Sequence, residues 1–210
     1  MDRMKTAEQA VRQMWSFSQA LDLALVDEEI RKGLKLEVGY HHGERVGYIS
    51  MRLGDALGLK GPELFLLLLA GLLHDIGALG GFAEAHGQTR LMEIHSRLGA
   101  DILRDFPGGE KLAAALIDHH KTPTIKPDVP LMAKIISLAD KLDLILPRGK
   151  TSYSERTEIL NRIRARSGID FYPEAVQALE NIAGEEAFWL YLSENDLLNP
   201  TLDYMFHNKK

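Results

Sequence analysis

The chain has 210 residues, 45% of them apolar and 26% charged, enough to bury a core in one domain or in one domain with an extension. Its formal charge of −5 argues against a DNA binder and against a surface that adheres to anionic membranes, although bound cations could reverse the sign locally for an anionic substrate. The absence of cysteine removes disulfides, thiolate metal sites and cysteine nucleophiles, and fits a cytoplasmic location.

The first ten residues, MDRMKTAEQA, lack the apolar stretch of a signal peptide. Residues 5–25 read as a helix, with Val11, Met14, Trp15, Ser18, Leu21 and Leu25 at three-to-four spacing. Val26-Asp27-Glu28-Glu29 offers a capped restart, and a second short helix is expected to reach Leu36. A helix over 40–58 carries His42, Val46, Ile49, Leu53 and Leu57 on one stripe and ends at Gly58. Gly61-Pro62-Glu63 opens the next helix, whose ten uninterrupted apolar residues, Leu64 to Leu73, run into His74-Asp75. That run is too short to span a bilayer and reads as a core helix. A glycine-rich connection, Gly77 to Gly87, leads to a helix over 88–105 with Leu91, His95, Leu98 and Ile102 aligned. A helix over 110–120 ends in His119-His120, and a loop with Pro123, Pro127 and Pro130 follows. The helix over 131–146 aligns Ala133, Ile136, Asp140 and Leu144, and two or three amphipathic helices fill 154–166 and 173–193. No strand-like alternation of any length occurs, so the fold is expected to be all-α. The apolar group Phe188, Trp189, Leu190 and Leu192 is expected to pack on the core, with a dimer surface as the alternative.

Five histidines and two aspartates sit at the apolar stripes or ends of these helices: His42, His74, Asp75, His95, His119, His120 and Asp140. One buried histidine is ordinarily a hydrogen-bonded core residue. Seven ionisable side chains carried on five segments are harder to bury without compensation, and imidazole with carboxylate is the donor set of Zn, Mn, Fe and similar divalent ions. His41 serves as a control, because one helical step of about 100° should turn it out of the stripe that contains His42. His86 and His207 also lack stripe partners. Gly149-Lys150-Thr151 imitates the end of a phosphate-binding loop, but Leu144 stands where that motif needs glycine and no strand precedes it.

Taken in order, HHGERVGYISMRLGDALGL, LLLAGLLHDIGAL, EIHSRLGADIL, ALIDHHKTP and AKIISLADKLDLIL resemble the five ligand segments of the HD superfamily of metal-dependent phosphohydrolases, HD-GYP type. RSGIDFYPEAVQAL is similar to the segment that usually closes that domain. The resemblance implies a bundle of five core helices with additional N- and C-terminal helices. The expected organisation is one domain over 1–210: N-terminal helices at 1–37, a metal-binding core at 38–150 and C-terminal helices at 151–210. It implies metal ligation by His42, His74, Asp75, His95, His119, His120 and Asp140, with Asp75 bridging and catalytic. Two divalent ions are expected, Fe or Mn, or a substitute such as Ni, Zn or Mg. Lys121 is the candidate for a catalytic cation, and Arg45 and Lys121 are the candidates for binding substrate.

Three departures from the family pattern bear on function. Ala78 stands where the HD-x-G-K motif has its lysine, Lys121 follows the double histidine in place of glutamate, and TPTIKPDVP replaces the GYP signature. A third metal would need a glutamate at position 38, where the chain has Val38, with Glu37 out of phase on a helix running through His42. The expected function is a phosphodiesterase acting on a nucleotide or cyclic dinucleotide, with cyclic di-GMP a poorer substrate than a generic phosphodiester. The alternative is a catalytically degenerate module that binds a nucleotide or a partner protein. The expected partner is a phosphorylated small molecule or nucleotide, not DNA or membrane, with a homodimer possible.

Overall fold

The computed structural model describes residues 2–33, 39–79, 89–193 and 196–207. Among them are ten α-helices: α1 (Asp2–Arg31), α2 (His42–Ala56), α3 (Gly61–Leu72), α4 (Thr89–Arg104), α5 (Gly109–Ile117), α6 (Leu131–Ile145), α7 (Tyr153–Ala165), α8 (Pro173–Ile182), α9 (Glu186–Leu192) and α10 (Leu198–Leu202). A single 3₁₀ turn, Ile76–Ala78, follows α3. The described residues contain no strand, only one isolated bridge between Ser167 and Phe171. The all-α expectation holds.

α2 is the centre of the molecule. Every residue from His42 to Gly54 is buried, and the helix packs against α1, α3, α6 and α8. Glycine permits its closest crossing, with the antiparallel α3. A Cβ on Gly71 would stand 2.8 Å from the Gly47 Cα, and one on Gly54 would stand 2.4 Å from Leu67. The start of α2 is thereby pressed against the end of α3. Gly61–Ala78 has a mean hydropathy of 1.4, enough by composition for a membrane span, yet 67% of it is buried inside the fold and the helix stops at Leu72.

α1 caps both of the helix ends that meet there. Ser18 donates its hydroxyl to the Leu72 carbonyl at 2.8 Å, and Asp22, one turn later, accepts the Gly43 N–H at 3.0 Å. Helix termini leave such groups unpaired, and His41 at the start of α2 makes no side-chain cap of its own. The restart expected at Val26 does not occur. α1 is continuous to Arg31, because Val26 and Glu29 prolong its buried side beyond Leu25. The expected continuation to Leu36 falls on 34–38, outside the described residues.

Two further boundaries differ from expectation. α2 begins at His42 rather than at 40, because His41 has φ +69°, a left-handed conformation that a helix cannot contain. α4 buries His95, Ser96, Gly99, Ala100 and Leu103, whereas Leu98 and Ile102, expected on the core stripe, are exposed. The reason is again close approach. A Cβ on Gly77 would lie 2.0 Å from the His95 carbonyl oxygen, so the 3₁₀ turn meets α4 backbone to backbone and small residues occupy the contact. At the C-terminal end, Phe188, Trp189 and Leu192 are buried in the same apolar cluster as Trp15 and Tyr48, while Leu190 is exposed.

The crossing yields a direct test. Gly71→Ala forces α3 away from Gly47 and should cost about 1–3 kcal/mol in denaturant unfolding, as overpacking typically does. Gly184→Ala, where a Cβ meets nothing within 4 Å, should stay within about 0.5 kcal/mol of the parent. Asp22 yields a second. Burial pushes its carboxyl up from 3.8 to about 7, against the opposing pull of His42. Across that interval the folded protein keeps a proton that the unfolded chain has released, so stability falls as pH rises toward the folded value. In metal-free protein, Asp22→Asn should therefore gain stability relative to wild type as pH rises through this window. A gap that stays constant in urea titrations across it would contradict the assignment.

Candidate metal centre

Five segments deliver the seven side chains to one buried volume. His42 opens α2, His74 and Asp75 follow the end of α3, His95 lies mid-way along α4, His119 and His120 follow α5, and Asp140 lies in α6. The double histidine was expected within a helix over 110–120. α5 instead ends at Ile117, which places both rings in the turn beyond it. All seven side chains are no more than 6% exposed.

The donors fall into two adjoining groups. Asp75, His95, His119 and His120 form one, and His42, His74 and Asp140 form the other; within each, one donor atom per residue lies within 4.8 Å of the rest. Asp75 stands between them. Its Oδ1 is 3.4 Å from His95 Nε2, and its Oδ2 is 3.3 Å from His74 Nε2 and 3.6 Å from His42 Nε2. Asp140 also touches both groups, with Oδ1 3.4 Å from His42 Nε2 and Oδ2 3.6 Å from His120 Nδ1.

The ring nitrogens show which atoms are offered. His74 Nδ1 donates to the Gly71 carbonyl at 2.9 Å and His119 Nδ1 to the Leu116 carbonyl at 2.5 Å, which turns both Nε2 atoms inward as unprotonated donors. His119 Nε2 has no hydrogen-bond partner among the described residues. Burial, helped by neighbouring imidazoles, lowers His119 to about 3 and holds His120 well below its ordinary value. Burial lowers His74 too, against the pull of Asp75. Rings kept neutral are rings in the ligating form. Burial would raise Asp140, but His42, His74 and His120 outweigh it and hold the carboxyl well below its usual range. Burial would lower His42 as well, but Asp140 and Asp143 outweigh it and hold that ring well above its ordinary value. Imidazoles and carboxylates buried together without thiolate suit divalent Zn, Mn or Fe, whose charge compensates the burial.

His120 lies in the wall of a cleft of about 290 Å³, together with Arg97, Lys121, Lys126 and the apolar Met92, Ile117 and Ile125. Lys121 holds Glu93 at 2.5 Å, and Lys126 holds Asp118 at 2.8 Å. Arg45, expected to bind substrate, is buried behind the donor groups, where it bonds Asp143 and the Leu192 carbonyl and does not line the cleft. Ala78 is buried in the core. The His41 side chain is 40% exposed and bonded to Glu44, outside the donor groups as expected, although its left-handed backbone rather than helical phase puts it there. Since α2 starts at His42, the phase argument does not extend to Glu37 or Val38. Those two residues and His86 lie outside the described residues. His207 is half exposed near the C-terminal end. Asp143 and Asp22 were not anticipated, although Asp143 stands one turn after Asp140 on an apolar helix.

A family model described as HD domain matches residues 39–145. A curated relative, a cyclic di-GMP phosphodiesterase of Thermotoga maritima, is 24% identical over 166 residues, covering 70% of this chain and 45% of that protein. A crystal structure of a cyclic GMP-AMP specific phosphodiesterase of V. cholerae is similar with a TM-score of 0.67 and 22% identity, covering 92% of this chain and 53% of that one. The chain spans about half the length of each of these two relatives, and the likeness to the second is one of fold.

Metal occupancy can be read from stability. Adding Mn²⁺ to chelator-stripped protein should raise the thermal unfolding midpoint, by the equivalent of about 2.7 kcal/mol at a hundred times the dissociation constant. Asp75→Ala should abolish the shift and His41→Ala should retain it. The reverse pattern would place the centre elsewhere.

Proposed function

The chain belongs to the HD domain family, and from that premise we propose that it is a divalent-metal-dependent phosphodiesterase acting on a nucleotide or cyclic dinucleotide. The observation that carries this reading is the position of Asp75, one carboxylate oxygen turned to each of two donor groups. His42, His74 and Asp140 would hold one ion and Asp75, His95, His119 and His120 the other, giving two ions per chain. Ions bound there would polarise a phosphoryl oxygen, activate water and stabilise charge as it develops on the phosphoryl group.

The protein's own groups supply binding and orientation. The cleft beside His120 carries Arg97, Lys121 and Lys126, cations suited to a phosphate, and Met92, Ile117 and Ile125, a surface suited to a base or sugar. Lys121 follows His120 directly and so stands where the ester would approach the donor groups. It would draw the anionic ester into register and release Glu93 in doing so. Ala78, buried in the core, offers no cation. The electrostatic task would fall to the cleft's cations, Lys121 foremost because it adjoins His120. The relatives named for cyclic di-GMP and cyclic GMP-AMP favour a nucleotide phosphodiester over a simple phosphate monoester.

The test is hydrolysis of bis(p-nitrophenyl) phosphate with Mn²⁺ or Fe²⁺, alongside cyclic di-GMP and cyclic GMP-AMP. Turnover of the generic diester is expected, with cyclic di-GMP slower. Lys121→Ala should lower kcat/KM by about ten- to a hundredfold, the loss of one charge-assisted contact of roughly 1.5–3 kcal/mol, at unchanged metal content. Folded protein that binds no metal and turns over none of these esters would overturn this reading in favour of a binding module.

A further inference from the structure

Asp143 is fully buried on α6, one turn beyond Asp140, and takes no place in either donor group. Its Oδ2 accepts from His42 Nδ1 at 2.7 Å. Arg148 grips both of its oxygens, Nη1 to Oδ1 at 2.8 Å and Nη2 to Oδ2 at 3.1 Å. Arg45 Nε bonds the same Oδ1, while Arg45 Nη1 reaches the Leu192 carbonyl at the end of α9. A carboxylate removed from water is costly unless its charge is compensated. Here two guanidinium groups and an imidazole compensate it, and nothing in the cleft uses any of them.

We infer that Asp143 is a positioning residue for His42, clamped by Arg45 and Arg148, through which α9 is tied to the metal centre. The inference rests on the reading of His42 as a ligand. His74 and His119 spend their Nδ1 protons on neutral carbonyls, whereas His42 spends its proton on a carboxylate. A carboxylate partner fixes the ring orientation, keeps the proton on Nδ1 and makes Nε2 the stronger donor. The group that contains His42 would therefore bind its ion with a carboxylate behind one of its rings. Arg148 and Leu192 both lie outside the matched residues 39–145, so the C-terminal helices contribute to the centre without donating a ligand.

The test has two readouts on the full chain. In metal-free protein with ¹⁵N-labelled histidine, the His42 resonances should report a proton held on Nδ1, and Asp143→Asn should change them while leaving His74 and His119 as they were. In Mn²⁺ titration against a chelating indicator, Asp143→Asn should weaken one of two binding events by about ten- to a hundredfold, as loss of an outer-shell partner does, and leave the other intact. Arg148, being 43% exposed, can be removed with less risk to the fold, and Arg148→Ala should weaken the same event by a smaller factor. If Asp143→Asn does not fold, Arg148→Ala decides. A His42 spectrum and a Mn²⁺ titration both unchanged by the variant that folds overturn the inference. Wild-type protein that takes up no Mn²⁺ overturns the dinuclear reading instead, and the spectrum of the metal-free protein still decides the role of Asp143.

Discussion

Two backbone contacts between glycines set the position of everything else. Gly71 against Gly47 brings the end of α3 onto the start of α2, and Gly77 against Gly99 brings the following turn onto α4. His74 and Asp75 lie between these contacts, and so they are held toward His42 on one side and His95 on the other. A side chain at Gly71 or Gly77 would drive into the facing backbone, and one at Gly47 into the Leu72 side chain, which a close-packed core absorbs poorly. The separation of the donor groups follows from helix spacing, and helix spacing follows from glycine.

Around this frame lies an apolar shell that would not by itself tolerate what it encloses. α3 contributes Leu72 and α6 contributes Ile136 and Ala139, all at 0% exposure and all within about one turn of Asp75 or Asp140 along the chain. Low polarity strengthens every electrostatic interaction inside it and makes any unmatched charge costly. The shell therefore does two things at once. It keeps His74, His119 and His120 below their ordinary values, and it makes a divalent cation between two carboxylates a strong stabilising partner.

The sequence was most legible where side-chain type and period agreed. The seven ligand candidates, the order of the helices and the burial of α3 could all be read from apolar stripes interrupted by His or Asp. Legibility failed where backbone geometry decides. Leu98 and Ile102 have the right period for a core stripe, yet Gly99 and Ala100 face the core, where Gly77 brings the 3₁₀ turn onto the α4 backbone. Asp22 looked like one more polar residue of α1, since nothing local shows that it caps a helix twenty residues later. Arg45 sits one turn from a ligand and resembles a substrate contact. Only the fold shows that Asp143 claims it from α6.

The helix ends explain why the ligand pairs stand just past their helices. A helix leaves its last carbonyls without intrahelical partners. In α3 the Gly71 carbonyl is taken by His74 Nδ1, and in α5 the Leu116 carbonyl is taken by His119 Nδ1, each three residues upstream. The Leu116 carbonyl also accepts the His119 N–H at 3.3 Å, and had either helix continued for another turn, the N–H four residues on would have competed with the ring for each carbonyl. The two terminations therefore satisfy the backbone and fix the tautomers by the same hydrogen bond. His42 stands at a helix start, where the unpaired groups are N–H donors and no free carbonyl is at hand. Its Nδ1 proton needs an acceptor from elsewhere, and α6 supplies it as Asp143. The difference between His42, which bonds a carboxylate, and His74 and His119, which bond carbonyls, thus follows from which end of its helix each one stands at.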